Sequence, residues 1–388
     1  MNQPLVSCII PMYNSENTII ECLNSLLEID YEPIEVIVVD DGSLDESRKI
    51  VKDFIENLSV GAITFKIVGD RVNRGISSAK NLGMQEINGE FFFFAASDDI
   101  QLPNRINKPL AYLQKYPEVD ILYMDCDLHV SNSKGLDFSK RGFPSSMTNQ
   151  NAFLYQITRS YFWSGLFLAR SRARLPFDEA LSSAVDYDWY FKQYFKKRII
   201  HFMDESVMRY RLHDSNTSKN LSETSSNVVR ILKKYDFDKE YKYLKDEAPS
   251  DLVNLSFARL DFTLSHYEKC LSKLYKIRIK CFNSEFLRAM VYLKMNQYDK
   301  SSKIFKKLCK ENINRPECFN NLAVIRMKGR GDYNEAKALL EKAISLNGDY
   351  LDARRNLELL ANTSSKDRRW CITVSPLRDV LTHRENYE

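Results

Sequence analysis

From Pro4 to about Tyr210, short apolar runs alternate with amphipathic stretches. "LVSCIIP", "VIVV", "ITFKIV", "FFFFAA" and "VDILYMD" each have the length and β-branched or aromatic character of a strand buried on both faces. Between them, Ser15–Leu27 places Ile19, Ile20, Leu23, Leu26 and Leu27 on one helical side, and Ser77–Ile87 reads as a further helix. Ser43, with Glu46 three residues on, has the spacing of a capping box and predicts a helix start. Strands separated by helices require crossover connections. The first half is therefore expected to be an α/β domain, with a mostly parallel, doubly wound sheet and helices on both faces.

From Ser284 onward the pattern becomes wholly helical and repeats. "LRAMVYLKMNQYDKSSKIFKKLCK" aligns with "NLAVIRMKGRGDYNEAKALLEKAI", pairing Ala289 with Ala323, Tyr298 with Tyr333 and Phe305 with Leu340. The offset is 34 residues, then 35 after one insertion in a Gly-rich turn. This is the period of a tetratricopeptide helix–turn–helix unit. "HYEKCLSKLYKI" reads as the second helix of an earlier, degenerate unit. The expected organisation is a catalytic α/β domain over 1–220, a helical linker over 221–260, tetratricopeptide-like repeats over 261–362 and a tail over 363–388 without readable period.

Composition narrows the function classes. The chain of 388 residues is 44% hydrophobic and 28% charged, an ordinary globular balance. A net charge of +4 gives no argument for nucleic acid as a partner. No apolar run approaches the ~20 residues of a membrane-spanning helix, and the start "MNQPLVSC" lacks the basic and apolar regions of a signal peptide. The eight scattered cysteines, without CxxC spacing, fit free thiols in a reducing cytosol. The expected location is cytoplasmic, at most peripheral at the inner face of a membrane.

The chemistry sits at strand ends. The first strand runs into "PMYNSEN", the second ends on Asp40 and Asp41, the third ends near Asp70 before "RVNRGISSAKN", and the fourth ends on Ser97, Asp98 and Asp99. In an open parallel sheet these ends share one edge, where ligands bind. That edge would collect several carboxylates, with Arg71, Arg74 and Lys80 nearby. Clustered carboxylates repel and call for a cation. A divalent metal, Mn2+ or Mg2+, with a phosphorylated ligand satisfies them, because such ions bridge carboxylates to phosphates. A nucleoside would need an acceptor for the base, one for the ribose hydroxyls and an aromatic wall, roles open to Asp41, Asp98 and Tyr13.

The stretches "VSCIIPMYNSENTIIECLNSLL", "EVIVVDDGSLDES", "NRGISSAKNLGM" and "GEFFFFAASDDIQLPNRI" resemble, in order and spacing, the family 2 glycosyltransferases of the GT-A fold. The resemblance covers about residues 4 to 215. It implies an enzyme that binds a nucleotide-activated sugar and a divalent metal and transfers a hexosyl or N-acetylhexosaminyl group to an acceptor, usually with inversion. It places Pro11 and Tyr13 against the nucleotide, Asp41 at the base, and Arg71, Asn73, Gly75 and the following "ISSAKN" segment with Lys80 along the diphosphate. Asp98 and Asp99 fall on the metal motif, with Ala96 standing where many members carry a further Asp. Which of the two aspartates meets the metal and which the ribose stays open. "AVDYDWYFK" resembles the segment bearing the catalytic base, here Asp186 with Asp188 as the lesser candidate, and Val185 replaces the usual Glu. "YRLHDSNTS" resembles the loop that closes over the diphosphate, with His213 as a metal ligand and Arg211 on phosphate.

Uridine diphosphate is the commonest carrier in such enzymes. The acceptor could be a growing polysaccharide, a lipid-linked sugar or a protein, and helical repeats, which build peptide-binding surfaces, tilt toward protein as acceptor or partner. A sugar nucleotidyltransferase would need a Gly-rich basic loop after the first strand, and a dehydrogenase GxGxxG; both are absent. The alternative from another class is a repeat scaffold with a decayed transferase domain, for which Ala96 and Val185 speak.

Overall fold

The computed structural model describes residues 3–58, 61–132, 135–211, 221–329, 331–361 and 370–375. It divides into two compact units, residues 1–236 and 237–388.

The first unit is an α/β domain. Its elements run β1 (Val6–Met12), α1 (Ile19–Leu27), β2 (Ile34–Asp40), α2 (Ser47–Glu56), β3 (Ile63–Val68), α3 (Ile76–Gln85), β4 (Phe91–Phe94), β5 (Ile100–Gln101), α4 (Asn107–Lys115), β6 (Ile121–Asn132), β7 (Gly135–Lys140), α5 (Ala152–Gln156), β8 (Phe167–Arg170), α6 (Val185–Phe195), β9 (Ile200–Arg211) and α7 (Leu221–Leu232). Among the described residues these strands form one sheet in the order β3-β2-β1-β4-β8-β6-β9-β5, with β7 paired to β6. The four strands read from the sequence as parallel, β3 to β4, are parallel. Beyond them the sheet is mixed: β8 runs antiparallel to both β4 and β6, while β9 is parallel to β6.

Both faces are covered, which is why β1 and β2 are buried at every position. Val6, Cys8, Ile10 and Met12 of β1 face a core that includes Ile19, Leu23 and Leu26 of α1, Val51 of α2 and Leu110 and Leu113 of α4. On the other face, β4 sets Phe92 and Phe94 edge-on to Phe167. The Trp189 indole of α6 stacks on Phe167 and Phe177, at 5.0 and 5.5 Å between ring centres, and donates to the Leu175 carbonyl. A large ring buried with its N–H satisfied is a strong anchor for a helix.

Three local expectations are corrected. Helix α1 begins at Ile19 rather than Ser15, and Ile20 and Leu27 are exposed at 38% and 43%, so its buried stripe is narrower than its apolar content. The capping box does not form. Helix α2 begins at Ser47, the Ser43 N–H donates to Asp40, and the Ser47 hydroxyl bonds Asp45. Asp40, which has no basic neighbour in sequence, pairs at 2.9 Å with Arg48 eight residues on, the second residue of α2.

The second unit is helical: α8 (Phe237–Glu247), α9 (Ser250–Thr263), α10 (Tyr267–Tyr275), α11 (Phe282–Lys294), α12 (Tyr298–Glu311), α13 (Pro316–Gly329), α14 (Tyr333–Leu346) and α15 (Leu351–Ala361). Helices α9/α10, α11/α12 and α13/α14 form successive hairpins, and each turn holds one residue in the left-handed region: Ser265, Asn296 and Gly331. Ala289 and Ala323, the aligned small residues, are fully buried where helices approach. Each apolar cluster draws on neighbouring hairpins: Leu287 and Val291 join α9 and α10, and Cys318, Leu322 and Ile325 join α11 and α12. No single hairpin closes its own core.

Candidate active site

Parallel register aligns the strand ends. Met12 pairs with Asp40, Val39 with Val68, and Ile9 with Phe94, so the residues after β1, β2, β3 and β4 share one edge. The Ser15 and Ser97 hydroxyls, 2.7 Å apart, tie the loop after β1 to the loop after β4. Pro11 is buried within β1, while Tyr13 stands just beyond it, 45% exposed.

The two carboxylates after β2 divide their work. Asp40 points inward to Arg48 and the Ser43 N–H. Asp41, 9% exposed, accepts from the Arg74 N–H at 2.8 Å and the Gly75 N–H at 2.9 Å, and its own N–H donates to the Met12 carbonyl. Asp41 therefore ties the 71–75 loop to the sheet edge. Gly75 enters α3 at φ +89° with open space where a Cβ would stand, a conformation that favours glycine. Arg71 and Asn73 are exposed on this loop, and Arg74 forms a bidentate pair with Asp70. A groove of about 440 Å³ beside it is lined by Gly69, Asp70, Arg74, Ser78, Asn81 and Glu179 among others.

Helix α3 carries Lys80 from this loop into the interior. Its ammonium, 6% exposed, donates to the Ser164 hydroxyl at 2.7 Å and to Asp186 Oδ1 at 2.9 Å, and lies over the Phe177 ring at 4.8 Å. Asp186 is in the first turn of α6, and its side chain keeps 28% exposure. Burial alone would raise its carboxyl. The Lys80 charge and hydrogen bonds from Lys80 and Ser164 outweigh that and hold it below the usual carboxylate range. Asp188, two residues on, is 1% exposed and bonded to Lys234 at 2.9 Å and the Tyr235 hydroxyl at 3.1 Å, where it anchors the segment after α7.

At the end of β4, Asp98 is partly exposed and Asp99 is 2% exposed. Burial first, then the Asp98 charge, push the Asp99 carboxyl well above the usual range, although it accepts the Arg211 N–H at 3.2 Å. A buried carboxylate beside a second one fits a cation. Among the described residues no group of three or more Asp, Glu, His or Cys gathers as a metal cluster. His213 lies outside the described residues. The Arg211 side chain pairs with Glu21.

In the sequence Ser164, which stands between Lys80 and Asp186, is singled out only as part of "WSGLFLARSRARLPFDEAL", a stretch that resembles the strand and loop facing donor sugar and acceptor, and the Asp125–Arg141 pair has no role. Arg141 bonds Asp125 at 2.8 Å and lies over Trp163 at 4.8 Å. These contacts join residues 16 to 106 positions apart, and no local spacing announces them.

An open sheet with a polar carboxyl edge, a glycine-entered helix and a lysine-held carboxylate is an α/β arrangement whose strand ends are where such sheets bind ligands. Residues 7–172 match the family model "Glycosyl transferase family 2", and residues 286–312 and 316–350 match "Tetratricopeptide repeat". The chain carries a glycosyl transferase family 2 domain, with tetratricopeptide repeats after it. A protein named as an uncharacterized glycosyltransferase of Rickettsia typhi is 31% identical over 225 residues, 55% of this chain and 66% of that one. Another so named, of Haemophilus influenzae, is 26% identical over 60% of this chain and 73% of that one. The match spans from 31% to 66% of the length of the Rickettsia relatives. The solved structure of S. aureus TarS 1–349 in complex with UDP-GlcNAc aligns over 89% of this chain and 92% of that one, at 18% identity and a TM-score of 0.48, a likeness too weak to carry an argument.

Proposed function

We propose that the chain transfers a sugar from a nucleotide-sugar donor to an acceptor hydroxyl by one inverting displacement, with Asp186 as the base. The observation that carries this reading is the Lys80–Ser164–Asp186 constellation: a carboxylate at the start of α6, kept ionised and partly open by a lysine on α3, the helix that starts from the loop held by Asp41. An ionised carboxylate can take the acceptor proton as the hydroxyl attacks the sugar. Asp188 is engaged by Lys234 and Tyr235, which favours Asp186.

In this reading Tyr13 and the 71–75 loop receive the nucleotide, and Asp41 both shapes that loop and meets the base through its remaining lone pairs. Asp98 and Asp99, with His213, would hold a divalent cation, Mn2+ or Mg2+. When bound, the cation supplies positive charge against the leaving diphosphate. Uridine diphosphate is the first carrier to test, and a glycan, a lipid-linked glycan or a protein the acceptor. The domain limits read from the sequence assign donor chemistry to 1–220 and acceptor or partner recognition to the repeats. Among the described residues no helix is long and apolar enough to cross a membrane.

The test incubates the purified chain with a panel of nucleotide sugars and Mn2+ and measures nucleoside diphosphate release. Turnover of one donor, lowered ~10²–10⁴-fold by Asp186→Asn with donor affinity kept, is the expected result. No turnover of any donor, with or without metal, would leave the scaffold reading standing instead.

A further inference from the structure

The segment Trp370–Ser375, beyond the last described helix, is neither helix nor strand, yet it is held in detail by the repeats. The Asn356 side chain accepts from the Cys371 N–H at 2.7 Å and donates to the Cys371 carbonyl at 2.7 Å. Two residues on, the Asn321 side chain accepts from the Thr373 N–H at 3.0 Å and donates to the Thr373 carbonyl at 2.8 Å. Asn320 donates to the Cys371 carbonyl at 3.2 Å and accepts from Asn356 at 2.8 Å. Each bidentate amide copies what a neighbouring strand would offer an extended chain, and alternate residues are read, as in a ladder.

The three asparagines are fully buried, on α13 and α15, the first helices of successive units. Buried amides without partners are costly, so a helical array places such residues there only where something hydrogen-bonds them. Between the two read positions, Ile372 packs against both neighbouring apolar clusters. At the second, the Thr373 hydroxyl donates to Asp352 at 2.6 Å and pairs with the Tyr350 hydroxyl. Backbone is read at both positions, and side chain at the apolar residue and the threonine after it.

We propose that the repeats contain a backbone-reading site for an extended peptide bearing an apolar residue followed by a threonine, and that the chain's own Trp370–Ser375 segment occupies it as a displaceable internal ligand. The site does not depend on the transferase reading. Among the described residues, side-chain hydrogen bonds and the packing of Ile372 hold the segment, with no sheet ladder. Its advantage over a peptide in solution is its covalent connection to the repeats, which makes the contact intramolecular and raises the segment's effective concentration. An external partner of the same chemistry must outbid that concentration, or bind once the tail is drawn away.

The experiment uses the full chain and a full-chain Cys371→Pro/Thr373→Pro variant, which lacks both N–H donors. The probe is a fluorescein-labelled peptide of sequence RWCITVSP, followed by anisotropy under reducing conditions. The variant should bind the peptide at least about tenfold more tightly than wild type, and a peptide with valine in place of its threonine should lose about tenfold against the variant. Equal binding by wild type and variant, or no binding by a variant with native helical content, overturns the proposal. Wild type alone gives an independent reading by hydrogen exchange. The Cys371 and Thr373 amides should be protected about a hundredfold over a free chain, and free-chain rates overturn the proposal. A wild-type dimer that the double-proline change converts to monomer would assign the segment to a second copy and overturn the internal assignment.

Discussion

The Lys80–Asp186 pair decides how the proposed base behaves with pH. A carboxylate held below its ordinary range stabilises the fold above its unfolded pKa, and that contribution is lost as pH falls through the lower folded value. The acid limb of transfer assigned to Asp186 should therefore lie below the ordinary aspartate range. Lys80→Met removes the opposing charge and leaves the burial, so the limb should move to higher pH in a kcat/KM profile; an unmoved limb would detach Lys80 from the chemistry. Asp98→Asn and Asp99→Asn each remove one negative charge from the proposed cation site. Calorimetry of a nucleoside diphosphate with Mn2+ should show affinity lower by at least about tenfold in each, and equal binding by wild type and both variants would rule the cation site out. Gly42 stands at φ +77°, where an added Cβ would lie 2.6 Å from the Asn73 nitrogen. Gly42→Ala should cost about 1–3 kcal/mol in urea unfolding.

At the level of elements, Lys234, just after α7, bridges Asp188 of α6 and Asp178. Lys234→Met leaves Asp188 buried with the Tyr235 hydroxyl as its described partner and should cost about 3–5 kcal/mol, because an uncompensated buried charge is left behind; chemical denaturation measures it. The elements that were legible in the sequence explain why others were not. Strands β1, β2 and β4 are buried on both faces, so they announce themselves as apolar runs bounded by polar residues, and the half-buried edge strand β3 keeps a shorter apolar pattern. The run "VDILYMD" gives the start of β6 in the same way, whereas the two-residue β5 has no such signature, and the antiparallel pairing of β8 that makes the sheet mixed is encoded by no local pattern. The capping box failed because Ser43 meets the Asp40 carboxylate within its own turn, a competitor that spacing alone does not weigh. The strand-end aspartates were found because topology gathers them. The pairings of Ser164 and Arg141 were not, because residues distant in sequence make them. The 370–375 segment has no period for the same reason: its order comes from asparagines on other elements.

At the level of the molecule, the two units suggest a clean division of labour. A chain ending at residue 236 keeps every proposed donor residue, and it should stay soluble and hydrolyse donor slowly while losing transfer to its natural acceptor. Full transfer by that truncation would remove acceptor recognition from the repeats. The thiols offer a view of the second unit from outside. Of the eight cysteines, Cys281 is exposed, Cys371 is half-buried within the held segment, and the other six are buried. A native thiol titration should therefore run in phases: one group reacting at once, one at a rate set by how often the tail lifts, and the rest only on unfolding. That second rate is a stopwatch on the tail, readable with an ordinary chromogenic disulfide, and any molecule that takes the tail's place in the repeats will make it run faster.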